Sequence, residues 1–324
     1  MSIERTMSAG LLDVHAPVAH ALAAGEPVVA LESTLLAHGL PPSRRAEAAQ
    51  ALEDAVRAEG ATPATIAILG GRLCVGLDEA RLRRVIEGAP KKASIRDLAW
   101  ALATGEDHAT TVATTMAIAA RAGVPVFATG GIGGVHREVV ETFDESADLM
   151  ALATYPVAVV SAGAKSVLDL PRTMERLETL GVPVIGYRTR ELPAFYHAHS
   201  GIALAHGTDD LGVVADVVRL QLDVLRAGGV LVVQPPPVAL AQDPARVDAL
   251  IEAALSEARA AGVRGAAITP FLLSRLDHSS GGAVVDTNLA LVLENARTAA
   301  RLAVSLAARR GSTRTEPRLC GGPR

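Results

Sequence analysis

Lysine is scarce in this chain, and the scarcity marks where amine chemistry could occur. Of 31 basic residues only Lys91, Lys92 and Lys165 are lysine. Arginine stays protonated and cannot act as an amine nucleophile, whereas a lysine with a lowered pKa can. Lys165 follows the apolar run 157–161 and the small residues Ala162, Gly163 and Ala164. Partial burial there would make a neutral amine available for Schiff-base formation with a carbonyl or a sugar C1. The competing role is a salt-bridged lysine at a helix start.

Glu32 ends another apolar run, 28–31, and is followed by Ser33 and Thr34. Burial raises a carboxyl pKa and suits acid–base work; capping a nearby helix is the alternative. Lys92, Ala93 and Ser94 precede a helix and offer a phosphate a cation, a hydroxyl and a helix N-terminus. Ser94 with Asp97 also reads as a capping arrangement. The run 130–134 (GGIGG) lets backbone approach closely, but its glycines are out of register for a dinucleotide fingerprint and no P-loop is present. A tight structural turn is expected, with His136 as a hydrogen-bonded turn residue. Asp144, Glu145 and Asp148 form an acidic cluster of the oxygen-ligand type that Mg²⁺ or Mn²⁺ takes. Its spacing is not an EF-hand, and on the residues alone helix N-capping is the better reading, since acids favour the first helical turn.

These residues need a frame. Continuous apolar runs at 28–31, 65–69, 125–129, 157–161, 184–187, 230–233 and 266–269 read as strands covered on both faces. Helical stretches lie between them at 43–59, 78–87, 94–103, 110–122, 170–180, 209–227, 244–261 and 287–308, with Ser43 as an expected N-cap. Glycine recurs where a helix returns to a strand, at Gly123, Gly181, Gly228 and Gly262. The expected fold is one large α/β domain over 1–308, with a mostly parallel central sheet and helices on both faces. Residues 309–324 read as a basic, disordered tail. Ligands of such sheets bind beyond the carboxyl ends of strands, which is where Glu32, the glycine run and Lys165 fall.

Composition sets the outer limits. The 324 residues are 49% hydrophobic with a net charge of -4, so a real core is expected and no footprint for nucleic acid or an anionic membrane. Aromatics make up 2%, too few for base-stacking platforms. Two distant cysteines, Cys74 and Cys320, give neither a disulfide framework nor zinc spacing and fit a reducing cytoplasm. No apolar run reaches the length of a membrane span.

Taken together, several segments resemble the pseudouridine-5′-phosphate glycosidases, also called pseudouridylate synthases. They are 29–34 (VALEST) with 38–41 (HGLP), 65–71 (TIAILGG), 92–98 (KASIRDL) and 110–116 (TTVATTM). The most specific are 128–137 (ATGGIGGVHR), 144–149 (DESADL), 162–169 (AGAKSVLD) and 193–196 (PAFY), with Thr287 and Asn288 opening the last. The resemblance runs from Val14 to Ala308. One small departure is Ser161-Ala162, where relatives often carry Cys.

The resemblance implies reversible cleavage of the C–C glycosidic bond of pseudouridine 5′-phosphate to uracil and ribose 5-phosphate, in pseudouridine degradation. It implies Lys165 as the Schiff-base lysine and Glu32 as the general acid/base. Lys92, Val112, Ser146, Ala147 and Asp148 match substrate contacts, with Lys92 expected at the phosphate. Asp144 matches the ligand of a divalent metal, usually Mn²⁺, held largely through water. A cytoplasmic homotrimer is implied as well. Asn288, Thr129 and His136 lie in matching segments without an assigned role. A Schiff-base aldolase on another sugar phosphate, a two-carboxylate glycosidase using Glu32 with Asp144 or Asp148, and a non-catalytic sugar-phosphate sensor are the competing readings.

Overall fold

The apolar runs that lack alternation become strands buried on both faces, because helices cover each side. The computed structural model describes residues 10–237, 244–263 and 283–313, with Ile268, Phe271, Leu272 and Arg275 between the last two segments. The strands are β1 (Leu12–Val14), β2 (Val28–Leu31), β3 (Thr62–Leu69), β4 (Arg72–Val75), β5 (Lys91–Ala93), β6 (His108–Thr110), β7 (Val126–Ala128), β8 (Ala158–Ser161), β9 (Val184–Tyr187), β10 (His206–Thr208) and β11 (Val230–Val233). The helices are α1 (Ala16–Ala24), α2 (Thr34–His38), α3 (Pro42–Ala58), α4 (Glu79–Glu87), α5 (Leu98–Thr104), α6 (Val112–Ala122), α7 (Val139–Thr142), α8 (Ala147–Thr154), α9 (Leu170–Thr179), α10 (Leu211–Arg219), α11 (Pro244–Ala260) and α12 (Ala283–Thr313).

The sheet runs β1-β4-β3-β2-β7-β8-β11-β9-β10, with β5 and β6 attached beside β3. From β3 through β2, β7, β8, β11 and β9 to β10 every pairing is parallel. Only the pairs of β3 with β4 and with β6 are antiparallel. Side chains alternate between faces along each strand. Val28, Ala30, Phe127, Val159 and Leu231 pack with Val112, Met116 and Ala119 of α6 and Leu149 and Leu152 of α8. Val29, Leu31, Val126, Ala128, Val160 and Val232 pack with Leu52 and Val56 of α3, Val214 and Val218 of α10, and Val292, Ala296, Ala299 and Ala303 of α12. The expected α/β architecture with two covered faces is therefore observed.

Several boundaries differ from expectation, each for a local reason. Ser43 is not the cap of α3: the helix begins at Pro42 after Pro41, whose ring pre-sets the backbone for a helix start. The stretch 94–103 splits into a 3-10 turn, Ile95–Asp97, and α5. The stretch 209–227 is α10 followed by a π turn, Leu220–Leu225, closed by Arg226 in the left-handed region at φ 53°. The tail does not begin at residue 309. Helix α12 continues to Thr313, where Arg309 pairs with Asp216 at 2.8 Å and Arg310 with Asp223 at 2.6 Å. The expected strand at 266–269 falls largely outside the described residues. Among the described residues, no helix is long and apolar enough to cross a membrane.

Candidate active site

Strands β2, β7 and β8 are neighbours and parallel, so their carboxyl ends open side by side. The chain leaves them at Glu32, at Thr129 with the glycine run, and at the segment leading to Lys165. Three regions far apart in sequence thus meet at one edge of the sheet.

Glu32 is the electrostatic centre. Burial pushes its carboxyl above the ordinary 4.5, against the opposing pull of Lys165, a hydrogen bond from Thr129 and the charge of Lys92; Asp148 adds to the rise. The hydroxyl of Thr129, itself buried, donates to Glu32 Oε1. The turn after Glu32 is tied down by hydroxyls: the Thr110 N–H donates to Ser33 Oγ at 2.8 Å, and Thr110 Oγ1 donates to the Ile66 carbonyl at 2.8 Å. Glu32 is therefore not a helix cap; Ser33 occupies the cap position of α2.

The glycine run is a spine between the other two site segments. On one side Ile132 N–H donates to the Gly163 carbonyl at 3.0 Å, and Lys165 N–H returns to the Ile132 carbonyl at 3.0 Å. On the other side Ser146 N–H donates to the Gly134 carbonyl and His136 N–H to the Asp144 carbonyl, both at 3.0 Å. The run is glycine because side chains press on it. A Cβ at Gly131 would lie 2.6 Å from the Phe195 ring, and one at Gly133 only 2.3 Å from Ser146 Oγ. The structural-turn reading of this run is correct, and the turn aligns Lys165 with Asp144 and Ser146. Lys165 does not stand at a helix start, since α9 begins at Leu170.

Asp148 is a clamp. Its Oδ1 accepts the Ala113 N–H at 2.9 Å and its Oδ2 the Gly133 N–H at 2.7 Å, joining the start of α6 to the glycine spine. Ser146 caps α8 through Oγ on the Asp148 N–H at 3.2 Å, and Ala147 is the first residue of that helix. Val112 is the buried first residue of α6. The adjacent lysines of β5 are both exposed but differ in their partners. Lys91 is exposed and pairs with Glu106 at 2.7 Å. Lys92 is held below its ordinary pKa by desolvation and by Lys165, against Asp148 and Glu32. Ser94 is a cap, its N–H donating to Asp97 Oδ2 at 2.9 Å, which leaves Lys92 as the phosphate candidate of that segment.

Asp144 stands apart from the charges that act on Glu32. Its carboxylate is partly exposed and faces His136 Nε2 at 3.8 Å. Among the described residues, no three His, Cys, Asp or Glu side chains are grouped to hold a metal ion. One partly open carboxylate fits a divalent cation that keeps most of its waters, and does not fit a closed protein cage.

Three polar residues at this site escape sequence reasoning. Asn295 and Thr298 on α12 and Gln234 after β11 are buried and hydrogen-bonded behind Thr129 and Gly130. Their signal is faint: isolated polar residues on the otherwise apolar face of the last helix. A cavity of about 720 Å³ lies elsewhere, at the ends of β9 and β10, lined by Arg188, Arg190, Glu191, His199 and Asp209 and by none of the site residues. The site is assigned to the Glu32 cluster because mutually facing charges with shifted pKa values mark function better than volume.

Comparison with known proteins gives the family. The family model described as Indigoidine synthase A like protein matches residues 17–305. A protein of Myxococcus xanthus named pseudouridine-5′-phosphate glycosidase is 51% identical over 292 residues, 90% of this chain and 96% of that protein. One of the same name from Herpetosiphon aurantiacus is 52% identical over 287 residues, 88% of this chain and 95% of that protein. Among solved structures, the prealnumycin C-glycosynthase AlnA in complex with ribulose 5-phosphate superposes with a TM-score of 0.86 at 42% identity, covering 93% of this chain and 99% of that one. An indigoidine synthase A-like protein of Thermotoga maritima superposes with a TM-score of 0.83 at 31% identity, covering 92% and 97%. The chain belongs to the Indigoidine synthase A like protein family, among relatives named pseudouridine-5′-phosphate glycosidase.

Proposed function

We propose that the chain interconverts pseudouridine 5′-phosphate plus water with uracil plus ribose 5-phosphate, in pseudouridine degradation in the cytoplasm. One observation carries the reading: a half-buried carboxyl with a raised pKa faces the scarce lysine Lys165 at the mouth of three adjacent parallel strands. The names of the relatives supply the substrate, and the complex of the C-glycosynthase neighbour with ribulose 5-phosphate supports a pentose-phosphate site.

The bond to be broken joins sugar C1 to uracil C5, and carbon is a poor leaving group. In an O- or N-glycoside, departure of an electronegative atom makes an oxocarbenium route sufficient. Covalent catalysis divides the harder reaction into easier steps. In the cleavage direction the Lys165 amine bonds to C1 as the bond from C1 to the ring oxygen breaks, and Glu32 gives that oxygen a proton. Ionised Glu32 takes a proton from the nitrogen, whose electron pair then forms C1=N as the C1–C5 bond breaks. The pair left on uracil C5 is held by the adjacent carbonyl until C5 is protonated. Water hydrolyses the imine, frees Lys165 and releases ribose 5-phosphate.

Lys92 binds the phosphate in this reading. Val112, Ser146, Ala147 and Asp148 form the adjoining wall, with Asp148 fixing the backbone on which the substrate lies. Asp144 would hold a hydrated divalent cation, Mn²⁺, which supplies positive charge beside the substrate's oxygens. The assembly is a homotrimer. The test is borohydride reduction with ribose 5-phosphate, read by intact mass and peptide mapping. A pentose-phosphate adduct on Lys165, lost in Lys165→Arg, is expected. A folded protein that makes the C-nucleotide from uracil without any adduct overturns the covalent route. An adduct without C-nucleotide formation favours the aldolase.

A further inference from the structure

Behind the site runs a chain of side-chain hydrogen bonds whose direction is fixed at both ends. Arg301 on α12 is the outer end, held by Glu59 at 3.6 Å and Glu294 at 3.3 Å. Its Nη2 donates to Thr298 Oγ1 at 2.9 Å. Thr298 Oγ1 donates to Gln234 Oε1 at 2.9 Å, Gln234 Nε2 to Asn295 Oδ1 at 2.7 Å, and Asn295 Nδ2 to the Thr129 carbonyl at 2.8 Å. Arginine has no acceptor and a carbonyl has no donor, so neither amide can turn over without losing a partner. Thr298, Asn295 and Thr129 are almost fully buried and Gln234 is 5% exposed.

Thr129 lies one residue past the end of β7; its N–H still donates to the Val160 carbonyl of β8 at 3.1 Å, and its carbonyl accepts from Asn295. Its hydroxyl meets Glu32 Oε1. Separately from the side-chain relay, the Gln234 backbone N–H donates to the Ser161 carbonyl at 3.1 Å, which fixes where the Gln234 side chain starts. Apolar residues of similar shape between β11 and α12 could hold the layers together equally well. A buried polar chain whose amides and hydroxyls are all paired specifies one arrangement instead.

We propose that Arg301, Thr298, Gln234 and Asn295 form a one-directional donor relay that positions Thr129 on Glu32. The four are positioning residues, acting only through Thr129. The proposal rests on the reading of Glu32 as acid/base. Lys165, Lys92, Asp148 and the Thr129 hydroxyl are the groups that face Glu32, and all four are retained in the variants below. The Thr129 hydrogen bond favours the ionised carboxylate, so loosening it shifts Glu32 further upward.

The test follows Glu32 itself. Full-length protein is labelled with carboxyl-¹³C glutamate, and the Glu32 resonance is assigned by its loss in Glu32→Gln and titrated. Asn295→Leu should raise its midpoint by about one unit. Thr298→Val, which removes only the outer hydroxyl, should raise it by less, and Thr298→Ser should restore it. In nucleotide synthesis from uracil and ribose 5-phosphate, kcat should fall at least about tenfold in Asn295→Leu, with KM for ribose 5-phosphate unchanged. An unchanged midpoint in folded Thr298→Val, or a shift that Thr298→Ser does not restore, overturns the relay. If Asn295→Leu does not fold, the Thr298 pair decides. The titration needs no turnover, so a wild-type protein that makes no nucleotide overturns the glycosidase reading and leaves the relay to be judged by its own measurement.

Discussion

The carboxyl edge of the sheet carries charge in two ways. At β9 and β10 the charges are exposed and matched: Arg190 meets Asp209 at 3.4 Å and His199 meets Glu191 at 3.1 Å. At β2, β7 and β8, Glu32 is half-buried and takes its hydrogen bond from the neutral Thr129 hydroxyl while facing Lys165 and Lys92. Exposed pairs in water contribute little and cost little. Charges drawn out of water without a direct partner cost stability, and a fold keeps them where their reactivity is used. A milder form of the contrast recurs in β5, where both lysines are exposed: Lys91 pairs with Glu106, whereas desolvation and the charge of Lys165 hold Lys92 below its ordinary pKa.

The largest effect expected from this contrast is at Glu32. Glu32→Gln should lower kcat for C-nucleotide formation by about 10²- to 10⁴-fold, the range for a lost general acid/base. It should also stabilise the protein at neutral pH. Burial holds the Glu32 carboxyl above its ordinary 4.5, so the folded state binds that proton more tightly than the unfolded chain. The stability this provides is present at acid pH and lost as pH rises through the folded value. The variant should therefore melt above the parent at about pH 8, the gap closing toward about pH 4. A variant less stable than the parent at both pH values would mean that Glu32 is a structural carboxylate.

A smaller effect separates the two adjacent lysines. Lys92→Met should raise KM for ribose 5-phosphate about 10- to 100-fold, the worth of a charge-assisted bond to phosphate. Lys91→Met should change it by less than about twofold, because an exposed pair contributes at most about 1 kcal/mol. Equal effects of the two substitutions, measured by steady-state kinetics, would dissolve the distinction between them.

Legibility in the sequence followed burial. The runs 28–31, 184–187 and 230–233 have the observed boundaries of β2, β9 and β11, because strands covered on both faces must be continuously apolar. Strands β1, β5, β6 and β10 have three residues each and include polar ones such as Asp13, Lys91 and His108, too short and mixed for any periodicity to register. Glu32, Lys165 and the glycine run could be found because each directly follows an apolar strand. The clamp role of Asp148 could not, since its partners are backbone N–H groups of Ala113 and Gly133, brought to it by tertiary packing. Asn295 was hidden for the same reason: its partners Gln234 and Thr129 lie 61 and 166 residues away.

The smallest expected effect tests the other half of the contrast. The cavity at β9 and β10 has the volume of a ligand site, and its polar lining invites that reading. Its charges argue otherwise. Asp209 is 75% exposed, its partner Arg190 is 58% exposed, and Arg190 also bonds the Thr189 carbonyl at 3.2 Å. Removing the carboxylate leaves the guanidinium solvated and still bonded to backbone, so no charge is stranded. Asp209→Ala should change stability by less than about 0.5 kcal/mol by denaturant melts, with little dependence on salt. Nucleotide synthesis should be unchanged. A loss of activity beyond about tenfold in a protein that melts normally would place this cavity in the reaction, and volume would then outrank charge as the guide to the site.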